Sequence, residues 1–187
     1  MATHVGVVNM CGAKNGCSFL LKVLKEMGCR VTVVERDVNI LQTIKKSKIR
    51  RWILTGMTMH PQEPPPPVPI ELLSLPDKVF FLICYSFESV LQHYYPLMNR
   101  FVKKTEYSKI PIDMRYALMN GIPNPMRVFR NHSLFIPSKS IRLPMRLVSS
   151  FDGEAMLVLY KNAVLTQFHP ERSAHGRILL RNWLRLT

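Results

Sequence analysis

The sequence predicts an α/β fold: a doubly wound, mostly parallel sheet flanked by helices, with extra antiparallel strands in the C-terminal half. Three observations predict it. Through residue 95, short apolar runs alternate with stretches of helical spacing, the pattern of β-α-β units. Beyond residue 100 the rhythm changes to short extended pieces separated by turn signals. A chain of 187 residues, 47% hydrophobic and 20% charged, has the size and composition of one globular domain.

"HVGVVNM" (4–10) reads as a buried strand. "FLLKVLKEMG" (19–28) sets Leu20, Leu24 and Met27 at helical spacing, with Gly28 where a C-terminal cap belongs. "RVTVVE" (30–35) is the second strand. Val38, Leu41 and Ile44 then mark a short helix that runs into the basic stretch "KKSKIRR" (45–51), and "WILTG" (52–56) returns as a third strand. Proline fixes φ and lacks an amide hydrogen, so "PQEPPPPVP" (61–69) predicts a stiff loop; a PxxP ligand for a partner module is the alternative. "KVFFLIC" (78–84) is the fourth strand, followed by a helix carrying Phe87, Val90, Leu91 and Tyr94 that Pro96 ends.

Four extended pieces follow, at 126–132, 145–151, 154–160 and 163–168, with "FDGE" (151–154) as a hairpin turn. The last element, "AHGRILLRNWLRL" (174–186), places Leu179, Leu180, Trp183 and Leu184 on one face and Arg177, Arg181 and Arg185 on the other. There is no internal repeat and no shift of composition, so residues 1–187 read as a single domain.

No apolar stretch approaches the roughly 20 residues that a membrane span requires, and the N-terminus lacks the pattern of a secretion signal. The chain is predicted to be soluble, intracellular and cytoplasmic. Cys11, Cys17, Cys29 and Cys84 show no CxxC spacing, so reduced thiols are expected rather than a structural metal site. An excess of 26 basic over 12 acidic residues gives +14, which favours an anionic partner such as nucleic acid or an acidic protein surface. Packing inside a particle, a virion or a ribonucleoprotein, is a second placement that this charge allows.

The chemistry centres on Cys84, where the fourth strand meets its helix. The carboxyl ends of the strands form the ligand crevice of a doubly wound sheet, and a sharp turn there lifts a side chain above it. A lone cysteine at the end of an apolar strand is otherwise a core residue. "QFHPE" (167–171) supplies what a cysteine nucleophile needs: His169 as base and Glu171 to orient it, with Pro170 stiffening the link. These meet Cys84 only if their strand lies beside its own. "ILTGMT" (53–58) offers backbone amides around Gly56 and Met57 that, with the amide of Tyr85, suit an oxyanion.

"WILTGMTMH", "FFLICYSFESVL", "RNHSLFIP" and "VLTQFHPERSAHGRILLRNWL", in this order, resemble the class I, triad-type glutamine amidotransferase domain. The likeness covers nearly the whole chain and implies a flavodoxin-like sheet. It also implies that Cys84 attacks the side-chain amide of glutamine, that His169 carries the proton to departing ammonia, and that Glu171 orients His169. Gly56, Met57 and Tyr85 would hold the oxyanion; Glu88, His132 and Ser133 would fall in the substrate-binding segments. The resemblance implies no metal or other cofactor, and a separate acceptor or synthetase subunit that takes the ammonia.

The chain departs from the family's nucleophile turn, G-x-C-x-G followed by an apolar residue and glutamine, by having Leu82, Ser86 and Glu88. Met57 also stands where the oxyanion loop commonly has a second glycine. Two readings follow. One is a glutaminase serving a separate acceptor; the other is a retained fold acting as a basic structural component of a larger assembly.

Overall fold

A computed structural model describes residues 2–11, 16–37, 39–56 and 67–186, leaving aside the side chains of 100–104. Val38, Met57 and the proline-rich stretch 61–66 lie outside the described residues. Nine strands and four α-helices are described: β1 His4–Asn9, α1 Ser18–Glu26, β2 Arg30–Glu35, α2 Ile40–Lys46, β3 Arg51–Leu54, β4 Val79–Ile83, α3 Tyr85–Leu91, β5 Met98–Ile110, β6 Met126–Phe135, β7 Arg146–Phe151, β8 Glu154–Tyr160, β9 Ala163–Thr166 and α4 Ala174–Arg185. Seven strands form one sheet in the order β2-β1-β3-β4-β9-β8-β7. The first five run parallel; β8 and β7 add antiparallel pairs at one side, and β5 with β6 makes a separate antiparallel ribbon.

The central strands are almost continuously apolar because both faces of the sheet are covered. On one face Val7, Ile53 and Phe81 pack under α1 and α4, where the Phe81 and Trp183 rings meet edge to face at 5.5 Å. On the other, Val8, Leu54 and Leu82 pack with Ile44 of α2 and Phe87 of α3. The helices are set by their ends as well as their faces. Gly28 takes φ 77° just past α1, a left-handed cap that costs glycine little. At α4, Ser173 Oγ accepts from the amide of Gly176 at 3.0 Å.

Two expectations need correction. The helix after Cys84 ends at Leu91, short of Tyr94, whose hydroxyl lies 3.2 Å from that of Tyr160 on β8. Extended structure begins at Met98 rather than at residue 126, with β5 forming a 13-residue strand. The end of the basic stretch 45–51 meets the C-terminal end of α4, where the Arg51 guanidinium donates to the Leu186 carbonyl. Arg181 and Arg185 are exposed, whereas Arg177 pairs with Glu26 at 3.4 Å.

Beneath the carboxyl end of the sheet lies a buried polar network. Gln167 Nε2 donates to Glu88 Oε1 at 2.7 Å, and His132 Nε2 donates to Glu154 Oε2 at 3.0 Å. The fully buried Arg130 lies 3.6 Å from Glu154 and pairs with Glu106 on the neighbouring strand. Burial pushes the Glu88 carboxyl up to about 7; the Gln167 bond opposes this and the charge of Glu154 adds to it.

The folded Glu88 therefore binds its proton more tightly than the unfolded chain does. Its contribution to stability is fully present below pH 4–5 and is lost as pH rises through about 7. By linkage the loss between pH 5 and pH 8 amounts to about 2–3 kcal/mol. Glu88→Gln should flatten that decline, which urea unfolding of both proteins at the two pH values will measure; parallel declines would exclude Glu88 as the source.

Candidate active site

β4 and β9 run parallel in neighbouring positions with Ile83 opposite Thr166. One residue past Ile83 the chain turns at Cys84; three past Thr166 it reaches His169. The condition set by the sequence, that the two strands be adjacent, is met. The Cys84 amide donates to the Thr166 carbonyl at 2.7 Å, which carries the pairing up to the turn itself.

Cys84 adopts φ 51° and ψ −107°, a region that costs a residue with a side chain of order 1–3 kcal/mol. Such a bend between a strand and a helix raises the side chain above the sheet. The bend is braced by Ser86, whose hydroxyl donates to the Thr55 carbonyl at 2.7 Å. Ser86 thus stands in place of the family's small residue without crowding the turn. Cys84 is 4% exposed, and its thiol donates to the Asn131 carbonyl at 3.7 Å. Leu82, the other departure, lies in the hydrophobic core on the α2 and α3 side.

His169 is held from the opposite direction. Its amide donates to the Phe129 carbonyl of β6 at 2.9 Å, and its Nδ1 bonds Glu171 Oε1 at 2.9 Å. The two side chains are 16% and 9% exposed, enough for the ring to meet a ligand while the carboxylate stays shielded. Residues 170–172 form a 3-10 turn against the start of α4. That contact requires Gly176, because a Cβ there would lie 2.2 Å from the Pro170 carbonyl oxygen.

Gly56 joins the two halves. A Cβ on it would lie 3.0 Å from Cys84 Cβ, 3.0 Å from His169 Cε1 and 3.6 Å from His169 Nε2. Cysteine, imidazole and the loop after β3 therefore converge on one point at the carboxyl end of the sheet, with Glu171 on the far nitrogen of the ring. Tyr85 is the first residue of α3, directly past the bend. Met57 is outside the described residues.

The structure does not bring every expected substrate residue to this point. A cavity of about 100 Å³ adjoins it, walled in part by Cys17, Thr55, Gly56, Asn131, His169 and Arg172. The side chains of Glu88 and His132 do not line it; each is bonded within the buried network. Ser133 is half-buried on β6. Sequence reasoning does not single out Cys17 or Arg172 for the site; Asn131 enters it through the segment "NHS" (131–133), whose backbone the resemblance assigns to the amino-acid end of glutamine. Cys17 shares the cavity, but burial, with Glu35 second, holds its thiol above the ordinary range, so it stays protonated.

The family model for class-I glutamine amidotransferases matches residues 16–185. Among curated proteins none matches. Solved structures match over 98% of this chain. A protein from Thermoplasma acidophilum, described as part of a GMP synthase, is 18% identical, with 93% of its chain covered and a TM-score of 0.76. The PurLQS structure from Thermotoga maritima gives 14% identity, 98% coverage of that chain and a TM-score of 0.72. A glutamine amidotransferase from Thermotoga maritima gives 13%, 81% and 0.65. At these identities the structural likeness shows the α/β fold, and the family model, spanning nearly the whole sequence, shows that the chain belongs to the class-I glutamine amidotransferases.

Proposed function

We propose that this protein hydrolyses glutamine to glutamate as a single amidotransferase domain and passes the ammonia to a separate acceptor enzyme. The observation that carries the proposal is the convergence of Cys84, His169 and Gly56 on one point, with Glu171 bonded to the imidazole.

The steps follow from that geometry. His169 takes the thiol proton, and the Cys84 sulfur attacks the carbonyl carbon of the glutamine side chain. The negative charge that develops on the carbonyl oxygen faces the backbone amides at Gly56 and Tyr85. As the tetrahedral adduct collapses, His169 returns the proton to the leaving nitrogen, ammonia departs and a thioester remains. Water, deprotonated by His169, then cleaves the thioester to glutamate and restores the thiol. Glu171 keeps the ring oriented and stabilises its charged form. In this reading the Asn131–Ser133 backbone contacts the amino-acid end of the substrate, a role supported by Asn131 in the cavity wall. The cationic surface of the chain suits an acidic docking face on the acceptor.

Glutamate release should fall by about 10³-fold or more in Cys84→Ser and in His169→Ala, as expected when one member of a concerted set is removed. A glutamine-mimicking electrophile should label the peptide containing Cys84 and spare the one containing Cys17, read by mass spectrometry. Absence of both turnover and labelling would sink the catalytic reading.

Gly56→Ala tests the convergence itself. Its methyl group would stand 3.0 Å from Cys84 Cβ and from His169 Cε1, so each must give by a few tenths of an ångström; since a displacement near 1 Å costs about 10²-fold in rate, the loss expected here is several-fold. The expected result is a lowered kcat with an unchanged unfolding midpoint; full activity in that variant would separate Gly56 from the site.

A further inference from the structure

β6 meets the reacting pair along the edge that β5 leaves open. Its Phe129 carbonyl accepts the His169 amide at 2.9 Å, and two residues further on its Asn131 carbonyl accepts the Cys84 thiol at 3.7 Å. Carbonyls two residues apart on a strand face the same edge, so this one strand spaces the base from the nucleophile. The thiol bond also selects one setting of a side chain that otherwise turns about χ1.

What fixes the Asn131 carbonyl lies on either side of it in the chain. Arg130 and His132 share the buried face of β6, at 0% and 3% exposure, and both reach the equally buried Glu154 at the start of β8. His132 Nε2 bonds Glu154 Oε2 at 3.0 Å, and Arg130 Nη1 lies 3.6 Å from the same oxygen. Arg130 also pairs with Glu106, but the His132 ring depends on Glu154, because its Nδ1 has no partner among the described residues. Asn131 itself faces the other way, where its Oδ1 accepts from the Thr105 hydroxyl at 3.0 Å. Glu154 stands on a fixed base. The Ala155 amide donates to the Ile136 carbonyl at 2.9 Å and the Ser138 amide to the Gly153 carbonyl at 2.8 Å, which ties the start of β8 to the chain just past β6.

Stability alone does not call for this arrangement. A carboxylate buried between an arginine and a histidine is costly to desolvate, and well-packed apolar side chains of similar volume serve a core as well or better. What apolar contacts lack is direction. Hydrogen bonds to the residues before and after Asn131 fix how the strand is rotated and where its carbonyl points, within the tolerance of about 0.5 Å that a reacting geometry demands.

We propose that Glu154 is a positioning residue for the reaction: by holding Arg130 and His132 it sets the Asn131 carbonyl between them, and through that carbonyl the orientation of the Cys84 thiol. The proposal rests on reading Cys84 as the nucleophile, and it gives a part in that reaction to a carboxylate that does not line the cavity.

Infrared spectroscopy reads the thiol bond without turnover. The S–H stretch of Cys84, isolated by subtracting the spectrum of the matching Cys84→Ser protein, should lie at the lowered frequency of a hydrogen-bonded thiol. In Glu154→Ala it should move to the free-thiol frequency. Glu154→Gln, which keeps the volume and an acceptor oxygen for His132, should shift it less. Activity should follow the same order, with kcat for glutamate release about 10-fold lower in Glu154→Ala, short of the 10²-fold that a displacement near 1 Å costs. His132→Ala should lose about as much as Glu154→Ala and the double variant no more than either, because the two act as one unit.

If Glu154→Ala does not fold, Glu154→Gln and His132→Ala carry the test. An S–H band left at its wild-type position in a variant with a cooperative unfolding transition overturns the inference, and so does a wild-type kcat. Should the wild-type protein release no glutamate, the catalytic proposal fails, and the band alone then decides whether Glu154 orients the thiol.

Discussion

The parallel pairing of β4 with β9 is the constraint on which the rest of the site depends. It sets Phe80 to Ile83 against Ala163 to Thr166, and the two chains leave the sheet at the same edge. Nothing local in either segment brings Cys84 to His169; the register does. That register is strongly specified because both faces of these strands are buried. Phe80, Phe81, Leu82 and Leu165 are each no more than 1% exposed, and removing such side chains from water stabilises by about 1.5–3 kcal/mol apiece. A slip of one residue would send each set to the wrong face and carry His169 away from the bend. The catalytic geometry is thus secured by hydrocarbon several residues below it.

The same edge of the sheet carries the polar groups that are costly to bury. Glu88, Glu154, Arg130 and His132 are all nearly inaccessible, and unpaired charges there would destabilise the fold. Pairing offsets part of that cost, although Arg130 Nη1, His132 Nδ1 and Gln167 Oε1 make no hydrogen bond among the described residues: Gln167 serves Glu88, while Glu154 receives His132 and lies beside Arg130. This accounts for the acidic residue where the family has glutamine. In this fold Glu88 meets an amide supplied by Gln167, just before His169 in the chain, so the departure is compensated within the framework. The strained backbone of Cys84 is likewise held by neighbours, with Thr166 on its amide and Ser86 tied to Thr55.

The parallel half was legible because each strand is a short apolar run and each helix shows a spaced apolar face. The long strand β5 was not. "MNRFVKKTEYSKI" mixes charge and apolar residues without a clean alternation, and it pairs with β6 in a ribbon outside the main sheet, where backbone hydrogen bonds rather than burial define it. Cys84, His169 and Glu171 were readable because each sits at the end of a strand or in a compact motif. Phe129 and Arg172 gave no such sign. Their meeting with Phe19 and His169 is created by folding alone, through the antiparallel bridge between Phe129 and His169.

Two buried thiols, Cys17 and Cys84, show how environment, rather than residue type, separates a nucleophile from a bystander. Cys17 precedes the first turn of α1, where helix amides favour a thiolate. Burial and the negative Glu35 outweigh that help and keep its proton in place. Cys84 also precedes a helix, but α3 is only one of its neighbours: the imidazole of His169 lies across Gly56, and Glu171 fixes the ring from behind. A base within reach changes what a buried thiol can do, because the proton has somewhere to go when a substrate carbonyl arrives. The chain builds that base from β9, not from the cysteine's own strand, and so the reactivity of Cys84 is a property of the sheet's pairing order.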